Sequence, residues 1–367
     1  MKIVDIVGAR PQFIKITTVL RAIQRYNQAH PENRIQEVLV HTGQHYDYEM
    51  SGVFFDELGL KPPDYHLGVG SGTHGYQTGE MIKRVEEVLL AEKPDLVIVY
   101  GDTNSTLAGA LAAVKLHIPV AHVEAGLRSF NKRMPEEINR ILTDHVSDLL
   151  FCPTPTAVEN LRREGITKGV YLVGDVMYDA VLQYLALAEQ KSRILERLGL
   201  RPESYAVATV HRAENTDNPN RLRAIFDGLE AVAQAGLPVV LPLHPRTRKQ
   251  AESLGLSLKG VRVLEPVSYL DMLLLEKNAR LIITDSGGVQ KEAFFFRVPC
   301  VTLREETEWV ETVETGWNVL VGCDPKRIRS AALLAQPGAE SACPYGDGRA
   351  GEKILEALKE LHREVRE

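Results

Sequence analysis

The sequence predicts an α/β protein of two domains, each built on a parallel β-sheet. Short apolar runs alternate with amphipathic helical patterns from end to end, which is typical of parallel α/β folds. The chain has 367 residues, which is long for one hydrophobic core and suits two. The strand pattern restarts near residue 175, so we expect one domain over residues 1–174 and another over residues 175–350.

The strand predictions rest on short apolar runs that end in polar or glycine-containing segments. The first domain is expected to contain Ile3–Val7, Glu37–His41, Asp95–Tyr100, Val120–Val123, Leu149–Cys152 and Val170–Val173. The second is expected to contain Tyr205–Val210, Val239–Leu243, Arg262–Leu264, Leu281–Thr284 and Cys300–Leu303. Helical spacing of apolar residues is clearest in Met81–Leu90, in Leu222–Ala233 and in the closing stretch over residues 351–365.

The composition argues against nucleic-acid and membrane partners. The net charge is −6 and the sequence contains no run of Lys and Arg, which argues against a nucleic-acid partner. The chain enters a strand at once, without a signal-peptide pattern, and no apolar run approaches the roughly 20 residues of a membrane span. We therefore expect a cytoplasmic protein with no membrane partner.

Metal and disulfide chemistry are not expected. The four cysteines form no C-x-x-C pair and have no metal-ligand spacing, so we interpret them as reduced structural thiols. His41 and His45 have the spacing of two metal ligands, but the sequence offers no evident third ligand.

Carboxylates follow two predicted strands. Asp102 comes directly after Asp95–Tyr100, Glu124 comes directly after Val120–Val123, and Glu136 follows soon afterwards. Neighbouring parallel strands bring their carboxyl ends to one crevice, where ligands bind. Three carboxylates at one crevice predict proton transfer.

A structural interpretation of the same carboxylates stays open. Asp102 has the position of a helix N-cap, and Glu136 has that of a surface residue. Glu124 continues a buried strand and needs a partner, for which Arg128 and Arg140 are the candidates.

Two cations stand near the start of the first predicted helix. Arg10 and Lys15 follow Gly8, and the positive end of a helix normally disfavours cations. An anionic ligand would explain both, and the alternative is that both side chains reach solvent. The turn lacks the G-x-G-x-x-G pattern, so nothing indicates a nicotinamide cofactor.

Polar residues also follow the strands of the second half. Ser286, Gly287 and Gly288 could form a phosphate loop or an ordinary N-cap turn, and Glu292 could bind a ribose or face solvent. His211, Arg212 and His244 also follow strands, where they could contact phosphate or be structural.

Taken together, these motifs resemble the non-hydrolysing UDP-N-acetylglucosamine 2-epimerases. The resemblance runs nearly end to end, and the order of the motifs is specific although each motif alone is not. The motifs are G-A-R-P-Q-F-I-K (8–15), T-G-Q-H (42–45), G-D-T-N-S-T (101–106), H-V-E-A-G-L-R (122–128), P-E-E-I-N-R (135–140), H-R-A-E-N (211–215) and D-S-G-G-V-Q-K-E (285–292).

The resemblance implies two Rossmann-like domains in GT-B architecture, with an active-site cleft between them and the C-terminal helix, about 351–367, packed back on the first domain. It implies a homodimer. It also assigns roles by position. The implied catalytic residues are Lys15, Asp102, Glu124, Glu136 and His211, the last assisting the departure of UDP. The implied UDP-binding residues are Arg10, Arg212, His244, Ser286, Gly287, Gly288 and Glu292.

The implied reaction is the reversible interconversion of UDP-GlcNAc and UDP-ManNAc, without a cofactor, for cell-surface polysaccharide synthesis. Elimination of UDP gives 2-acetamidoglucal, and UDP then adds back with a proton on the opposite face. The alternatives are a GT-B glycosyltransferase, a hydrolysing epimerase and a non-catalytic nucleotide-sugar sensor.

Two stretches raise questions of regulation and substrate. In bacterial members a second UDP-GlcNAc activates, and Gln44 and His45 match part of that regulatory site. An arginine that some members supply from the region of residues 68–74 has no counterpart here. Residues 129–134 resemble relatives that act on UDP-2,3-diacetamido-glucuronate, which is therefore an alternative substrate.

Overall fold

A computed structural model describes residues 1–44, 57–256, 258–339 and 343–364. Within these ranges, no helix combines the length and the apolar character needed to cross a bilayer. His45, which the sequence marked as a regulatory candidate, lies outside the described residues.

Thirteen strands are described, and they form two parallel sheets. The first sheet has the order β3-β2-β1-β4-β5-β6-β7 and the second the order β10-β9-β8-β11-β12-β13. The first seven strands are β1 Lys2–Val7, β2 Gln36–His41, β3 Tyr65–His66, β4 Leu96–Tyr100, β5 Val120–Val123, β6 Leu149–Cys152 and β7 Val170–Leu172. The other six are β8 Ala206–Thr209, β9 Val239–Pro242, β10 Val261–Leu264, β11 Leu281–Thr284, β12 Cys300–Thr302 and β13 Asn318–Leu320.

The described helices connect these strands and are numbered here in chain order. The first eight are α1 Arg10–Ala29, α2 His74–Glu92, α3 Asn104–Lys115, α4 Pro135–Val146, α5 Pro155–Arg163, α6 Val176–Lys191, α7 Ile194–Leu198 and α8 Ala213–Thr216. The others are α9 Pro219–Gln234, α10 Pro245–Ser253, α11 Tyr269–Lys277, α12 Gly287–Phe295, α13 Val310–Glu314, α14 Pro325–Leu334 and α15 Ala350–Glu364.

All eleven strands predicted from the sequence are present, with ends shifted by at most one residue. Two strands were missed, namely β3 and β13. They are two and three residues long and lie at outer edges of the sheets. A run that short carries too few residues to show a period of two, which explains the omission.

The chain divides into two compact units, each with one sheet. The first unit contains residues 1–182 and 343–367, and the second contains residues 183–342. The sequence placed the domain boundary near residue 175, one residue before α6 begins, whereas the first unit extends to residue 182, within α6. Within the first unit, α15 packs against α1, and a side chain at Gly351 would collide with the backbone of Thr18.

The strand order locates the expected ligand side of each sheet. In the first sheet the order reverses between β1 and β4, and in the second between β8 and β11. Ligands of open α/β sheets bind beyond the carboxyl ends of the strands at such a reversal. The strands nearest each reversal are largely apolar and buried, so we look for the chemistry mainly in the residues that follow them.

Candidate active site

Glu124 follows β5 and is the most constrained carboxylate of the first unit. Its backbone has a φ of +75°, a left-handed conformation that costs a non-glycine residue free energy and is concentrated at functional sites. The side chain is only 5% exposed and forms an ion pair with Lys15 of α1. The sequence named Arg128 and Arg140 as possible partners of Glu124; in the structure Arg128 pairs with Asp144 and Arg140 with Asp102, and the sequence did not name Lys15.

Gly101, at the end of β4, leaves the space that this ion pair occupies. A Cβ atom at position 101 would lie 2.9 Å from Lys15 Nζ and 3.3 Å from Glu124 Oε2. Gly101 also has a φ of +67°, which favours glycine. Two independent constraints therefore keep a side chain away from the Lys15–Glu124 pair.

Asp102 follows Gly101 and is paired with Arg140 of α4. Its side chain is 32% exposed, whereas that of Arg140 is buried. The N-cap interpretation of Asp102 was wrong: Thr103 caps α3, and its hydroxyl accepts a hydrogen bond of 3.3 Å from the amide of Thr106. Asp102 is thus a partly open carboxylate with a fixed, buried cation behind it.

The two adjacent glutamates of α4 differ. Glu137 is buried and accepts hydrogen bonds from the Ser129 amide at 2.9 Å, the Phe130 amide at 2.9 Å and Arg140 at 2.9 Å. Glu136, the residue to which the resemblance assigns a catalytic role, is half-buried. The Glu136 side chain has no hydrogen bond or ion pair with the residues that the structure describes.

Behind the carboxylates lies a buried polar network that the sequence did not reveal. His122 of β5 makes a 2.7 Å hydrogen bond to Asp144 through Nδ1 and another of 2.7 Å to the carbonyl of Gly101 through Nε2. Asp144 also accepts from Arg128 at 2.7 Å. Burial raises the pKa of Asp144, but the hydrogen bonds and charges of His122 and Arg128 outweigh it and lower that pKa overall. The network joins the ends of β4 and β5, which carry Asp102 and Glu124.

The turn after β1 is fixed by Gln12. Its Oε1 accepts from the amides of Gly8 at 2.8 Å and Ala9 at 2.9 Å, and its Nε2 donates to the carbonyl of Tyr100 at 2.8 Å. Arg10, the first residue of α1, is half-buried beside this turn. The hydrogen bonds of the Gln12 side chain hold the end of β1 next to the end of β4.

Gln44, the described member of the regulatory pair, contacts the same edge. Its Oε1 accepts from the Ser105 amide at 3.0 Å and from the Ser105 hydroxyl at 2.7 Å. Because Ser105 lies in the first turn of α3, Gln44 supports the helix that begins just after Asp102.

In the second unit, Asp285 organises the carboxyl ends of β8 and β11. It is fully buried and accepts from the backbone amides of His211 at 3.1 Å and Arg212 at 3.0 Å, and from the Asn215 side chain at 3.1 Å. The imidazole of His211 remains 44% exposed, with Nε2 4.0 Å from Asp285. The backbone of His211 is therefore fixed while its ring stays available.

The turn at the start of α12 combines a cap with an open backbone. Ser286 caps the helix, accepting a hydrogen bond of 3.4 Å from the Val289 amide. A Cβ at Gly287 would lie 2.7 Å from Glu308 Oε1, whereas a Cβ at Gly288 would meet nothing closer than 3.8 Å. The turn can therefore be both a helix N-cap and a phosphate loop: Ser286 caps the helix, and the backbone amides of Gly287 and Gly288 lie at the helix start, which favours an anion.

The remaining candidate UDP-binding residues of the second unit are buried or contact other residues of the protein. Glu292 is 5% exposed, so the solvent-facing interpretation of this residue was wrong. It lies beside Tyr269, whose pKa is raised well above its usual range by burial and by the charge and hydrogen bonding of Glu292. Arg212 lies 3.8 Å from Glu308. The Nδ1 atom of His244 accepts from the Arg246 amide at 3.2 Å and caps α10.

Over the described parts of the chain, no group of three or more His, Cys, Asp and Glu residues is arranged to hold a metal ion. All four cysteines are free thiols. Burial raises the pKa of the Cys300 thiol to about 12, which keeps it protonated and unreactive.

The whole chain is similar to known proteins. The family model described as UDP-N-acetylglucosamine 2-epimerase matches residues 27–359. A UDP-N-acetylglucosamine 2-epimerase homolog of Methanococcus maripaludis is 53% identical, over 98% of this chain and 100% of the relative. The UDP-2,3-diacetamido-2,3-dideoxy-D-glucuronate 2-epimerase of Pseudomonas aeruginosa is 52% identical, over 98% of this chain and 100% of the relative.

A solved structure is similar over the same length. The crystal structure of the Methanocaldococcus jannaschii UDP-GlcNAc 2-epimerase in complex with UDP-GlcNAc and UDP has a TM-score of 0.91 to this chain. It is 46% identical and covers 98% of this chain and 100% of its own.

Proposed function

The chain belongs to the UDP-N-acetylglucosamine 2-epimerase family, and we propose that it interconverts UDP-GlcNAc and UDP-ManNAc reversibly. The observation that carries this proposal is the pair of carboxylates at the ends of β4 and β5, each ion-paired with a different cation. Inverting C2 requires removal of a proton from one face of the sugar and delivery to the other, which takes two acid–base groups.

We propose an elimination and re-addition. A carboxylate takes the proton from C2, the C1–O bond breaks, and its electron pair leaves with UDP. The electrons of the former C2–H bond form the C1=C2 double bond of 2-acetamidoglucal. UDP oxygen then attacks C1 while a second acid returns a proton to the opposite face of C2. Atoms and electrons balance without any oxidant, so the reaction needs no redox cofactor.

The first unit supplies the acid–base groups in this proposal. Asp102, Glu124 and Glu136 are the candidates, and the first two are ion-paired with Arg140 and Lys15 respectively. Deprotonation at C2 creates no stable anion while UDP stays attached. The removal of the proton and the departure of UDP therefore have to be coupled.

The second unit supplies the groups for the leaving UDP. Ser286, Gly287 and Gly288 offer the amides of a helix start to a phosphate, and Arg212 and His244 are further candidates for nucleotide contacts. Glu292 is the candidate for the ribose. His211, with its exposed imidazole, is proposed to assist the departure of UDP.

The test is proton NMR of UDP-GlcNAc with the protein in heavy water. We expect UDP-ManNAc to appear, with deuterium at C2 in both sugars. Free ManNAc and UDP would indicate a hydrolysing enzyme instead. Transfer of the sugar to an added acceptor without exchange at C2 would indicate a glycosyltransferase, and binding without any exchange would indicate a sensor.

A second candidate substrate is UDP-2,3-diacetamido-glucuronate. The P. aeruginosa relative named for this sugar is 52% identical, whereas two methanococcal relatives named UDP-GlcNAc 2-epimerase are 46% and 45% identical. The same elimination applies, because both sugars carry a hydrogen at C2 next to UDP-bearing C1. The same NMR experiment with this sugar measures it.

We further propose that the protein acts in the cytoplasm as a homodimer. Free thiols at all four cysteines support a reducing compartment. The dimer rests on the family resemblance alone. Light scattering should give twice the chain mass of 40.8 kDa, and a monomer would contradict the dimer.

A further inference from the structure

Three buried side-chain amides of the first unit form a hydrogen-bonded chain. They belong to Gln77 of α2, Asn104 of α3 and Asn139 of α4, whose exposed fractions are 8%, 6% and 6%. The catalytic and UDP-binding roles already assigned involve none of them, although Asn104 and Asn139 stand in the motifs G-D-T-N-S-T and P-E-E-I-N-R. Burying an amide costs free energy unless its hydrogen bonds are made, so the partners of these three residues indicate their purpose.

The chain of amides ends on Asp102. Asn139 Nδ2 donates to the backbone carbonyl of Asp102 at 2.9 Å and to Asn104 Oδ1 at 3.1 Å. Asn104 Nδ2 donates to Gln77 Oε1 at 2.8 Å, and Gln77 Nε2 donates to the carbonyl of Gly70 at 2.7 Å. The three amides therefore connect the segment before α2 with the residue that carries the candidate carboxylate after β4.

The two ends of the chain determine the orientation of each amide. A backbone carbonyl only accepts, so Asn139 must turn its NH2 group towards Asp102, and Gln77 must turn its NH2 group towards Gly70. The oxygen of Asn104 then faces Asn139, and its NH2 group faces Gln77. Turning any of these amides round would place two acceptors or two donors together. A buried network of this kind specifies a single arrangement of the groups that it joins.

The helix α4 holds Asp102 at two points through adjacent residues. Asn139 binds the backbone carbonyl of Asp102, and Arg140 forms the ion pair with its carboxylate. Arg140 is itself held by Glu137 at 2.9 Å. The Asp102 side chain is 32% exposed, so packing alone does not fix it. These polar contacts set its position, and the amide chain ties α4 to α3 and α2.

We propose that Asn139, Asn104 and Gln77 are positioning residues, which hold Asp102 in place for proton transfer at C2 of the sugar. The inference rests on the proposed function, in which Asp102 is one of the acid–base groups. A role in stability alone would explain less, because hydrogen bonds between buried amides add little net stability. Catalysis gains more from them, since a misplacement of about 1 Å can cost about 100-fold in rate.

The test uses the partial reactions on the two faces of the sugar. A base on one face can exchange the C2 proton of one epimer in heavy water, because UDP can add back after deuterium returns to the same face. Epimerisation needs both faces. The variant Asp102→Asn should therefore keep exchange in one epimer while it loses exchange in the other and loses epimerisation. NMR measures all three rates, starting from UDP-GlcNAc and, separately, from UDP-ManNAc.

Two variants interrupt the amide chain, and a third is the matched control. Asn139→Leu removes both donors at the Asp102 end, and Gln77→Met removes the far end without touching Asp102. The control Asn27→Leu removes another amide of the first unit, which exchanges hydrogen bonds of 2.9 and 2.8 Å with the backbone of Ile35. Ile35 precedes β2, so the control acts at the amino ends of the strands, away from Asp102.

We expect Asn139→Leu to lower kcat for epimerisation by about 10–100-fold and Gln77→Met to lower it by about 3–10-fold, with UDP affinity within about threefold of the wild type. Both variants should keep exchange in the same epimer as Asp102→Asn does. The control should lose thermal stability and keep the wild-type ratio of the three rates.

The ratio separates positioning from structural damage. Wild-type rates in both chain variants, or a loss of all three rates in equal proportion, would overturn the inference and leave the epimerase proposal standing. Exchange that survives in the opposite epimer to that of Asp102→Asn would overturn it too. If Asn139→Leu does not fold, Gln77→Met decides by the same criteria.

Two outcomes reach further than the amide chain. Wild-type rates in Asp102→Asn would overturn the role of Asp102 and this inference with it. If the wild type exchanges the C2 proton neither in these sugars nor in the diacetamido sugar, the proposed function itself is overturned. If only the diacetamido sugar and its epimer react, the same three rates are measured with that pair.

Discussion

The two candidate edges use different means to hold charge. Beyond the first sheet, carboxylates are ion-paired with cationic side chains: Glu124 with Lys15, and Asp102 with Arg140. Beyond the second sheet, the buried carboxylate of Asp285 is matched mainly with backbone amides, and the turn that follows presents Gly287 and Gly288 at a helix start.

This difference teaches which edge suits which task. Side-chain carboxylates fixed by cations can exchange protons without moving, as acid–base catalysis requires. Backbone amides cannot exchange protons usefully, but they form a rigid anion site that costs no side-chain entropy. In the proposed function, the same strand topology thus serves proton transfer in one unit and anion binding in the other.

The largest expected effect follows from Glu124→Gln. The variant keeps a hydrogen-bond acceptor near Lys15 but cannot take a proton, so exchange at C2 should fall by about 10²–10⁴-fold. The affinity for UDP, measured by calorimetry, should stay within about threefold because UDP is assigned to the other edge. If UDP affinity fell as much as C2 exchange, the proposed separation of proton transfer and UDP binding between the two edges would be contradicted.

The glycines of the second edge allow a matched pair of variants. Gly288→Ala meets nothing within 3.8 Å, so its thermal stability should equal that of the wild type, whereas UDP affinity should fall by about tenfold or more through contact with the phosphate. Gly287→Ala places a methyl group 2.7 Å from Glu308 and should lower stability by about 1–3 kcal/mol as well. Unchanged UDP affinity in Gly288→Ala would place the phosphate elsewhere.

An effect of similar size is expected from His122→Asn, which breaks the link between the ends of β4 and β5. Asp102 and Glu124 would lose their fixed spacing, so kcat should fall by about 10–100-fold while KM changes little. His122→Gln, which has a longer side chain, should restore part of the rate. Equal losses in both variants, together with a lower melting temperature, would indicate a purely structural residue.

The smallest effect concerns Asp179, a carboxylate of the first unit held by the Gly351 amide at 2.9 Å. Burial raises its pKa from 3.8 to about 6. Between these values the folded protein binds more protons than the unfolded chain, so stability should fall as pH rises through this window. Above pH 6 the buried charge is a cost, and Asp179→Asn should stabilise the protein by about 1 kcal/mol, allowing for partial exposure.

The measurement is the urea midpoint of both proteins at pH 4 and pH 8. The gain should appear at pH 8 and vanish at pH 4. A gain of the same size at both values would mean that the charge of Asp179 is not its cause. Burial also raises the pKa of Asp144, but its hydrogen bonds and charge interactions with His122 and Arg128 lower that pKa overall, which shows what polar partners change.

The sequence predicted the strands well because buried parallel strands are continuous apolar runs, and it predicted the polar residues that follow them. The positions of Asp102 and Glu124 at strand ends could be predicted from the local sequence alone. Their salt-bridge partners could not, because Lys15 and Glu124 are far apart in sequence and no local pattern connects them. The identity of a salt-bridge partner is a property of packing.

His122 and Glu137 show two further limits. His122 lies within an apolar strand, where a single polar residue gives no signal of a function. In the structure it is hydrogen-bonded to the Gly101 carbonyl at the end of β4 and to Asp144. Glu136 and Glu137 are adjacent in sequence and chemically identical, and only the helix rotation decides which one is buried. A signal existed for the buried one, because Arg140 lies three residues later on the same helical face.

The strands that the sequence missed have a consequence for handling the protein. The first sheet has β3 and β7 as its edge strands and the second has β10 and β13, with only two, three, four and three residues. An edge this short offers few free amides to a strand of another copy, which is how natural sheets avoid edge-to-edge aggregation. The brevity that hid two of these strands from sequence reasoning thus favours solutions that remain clear at high protein concentration.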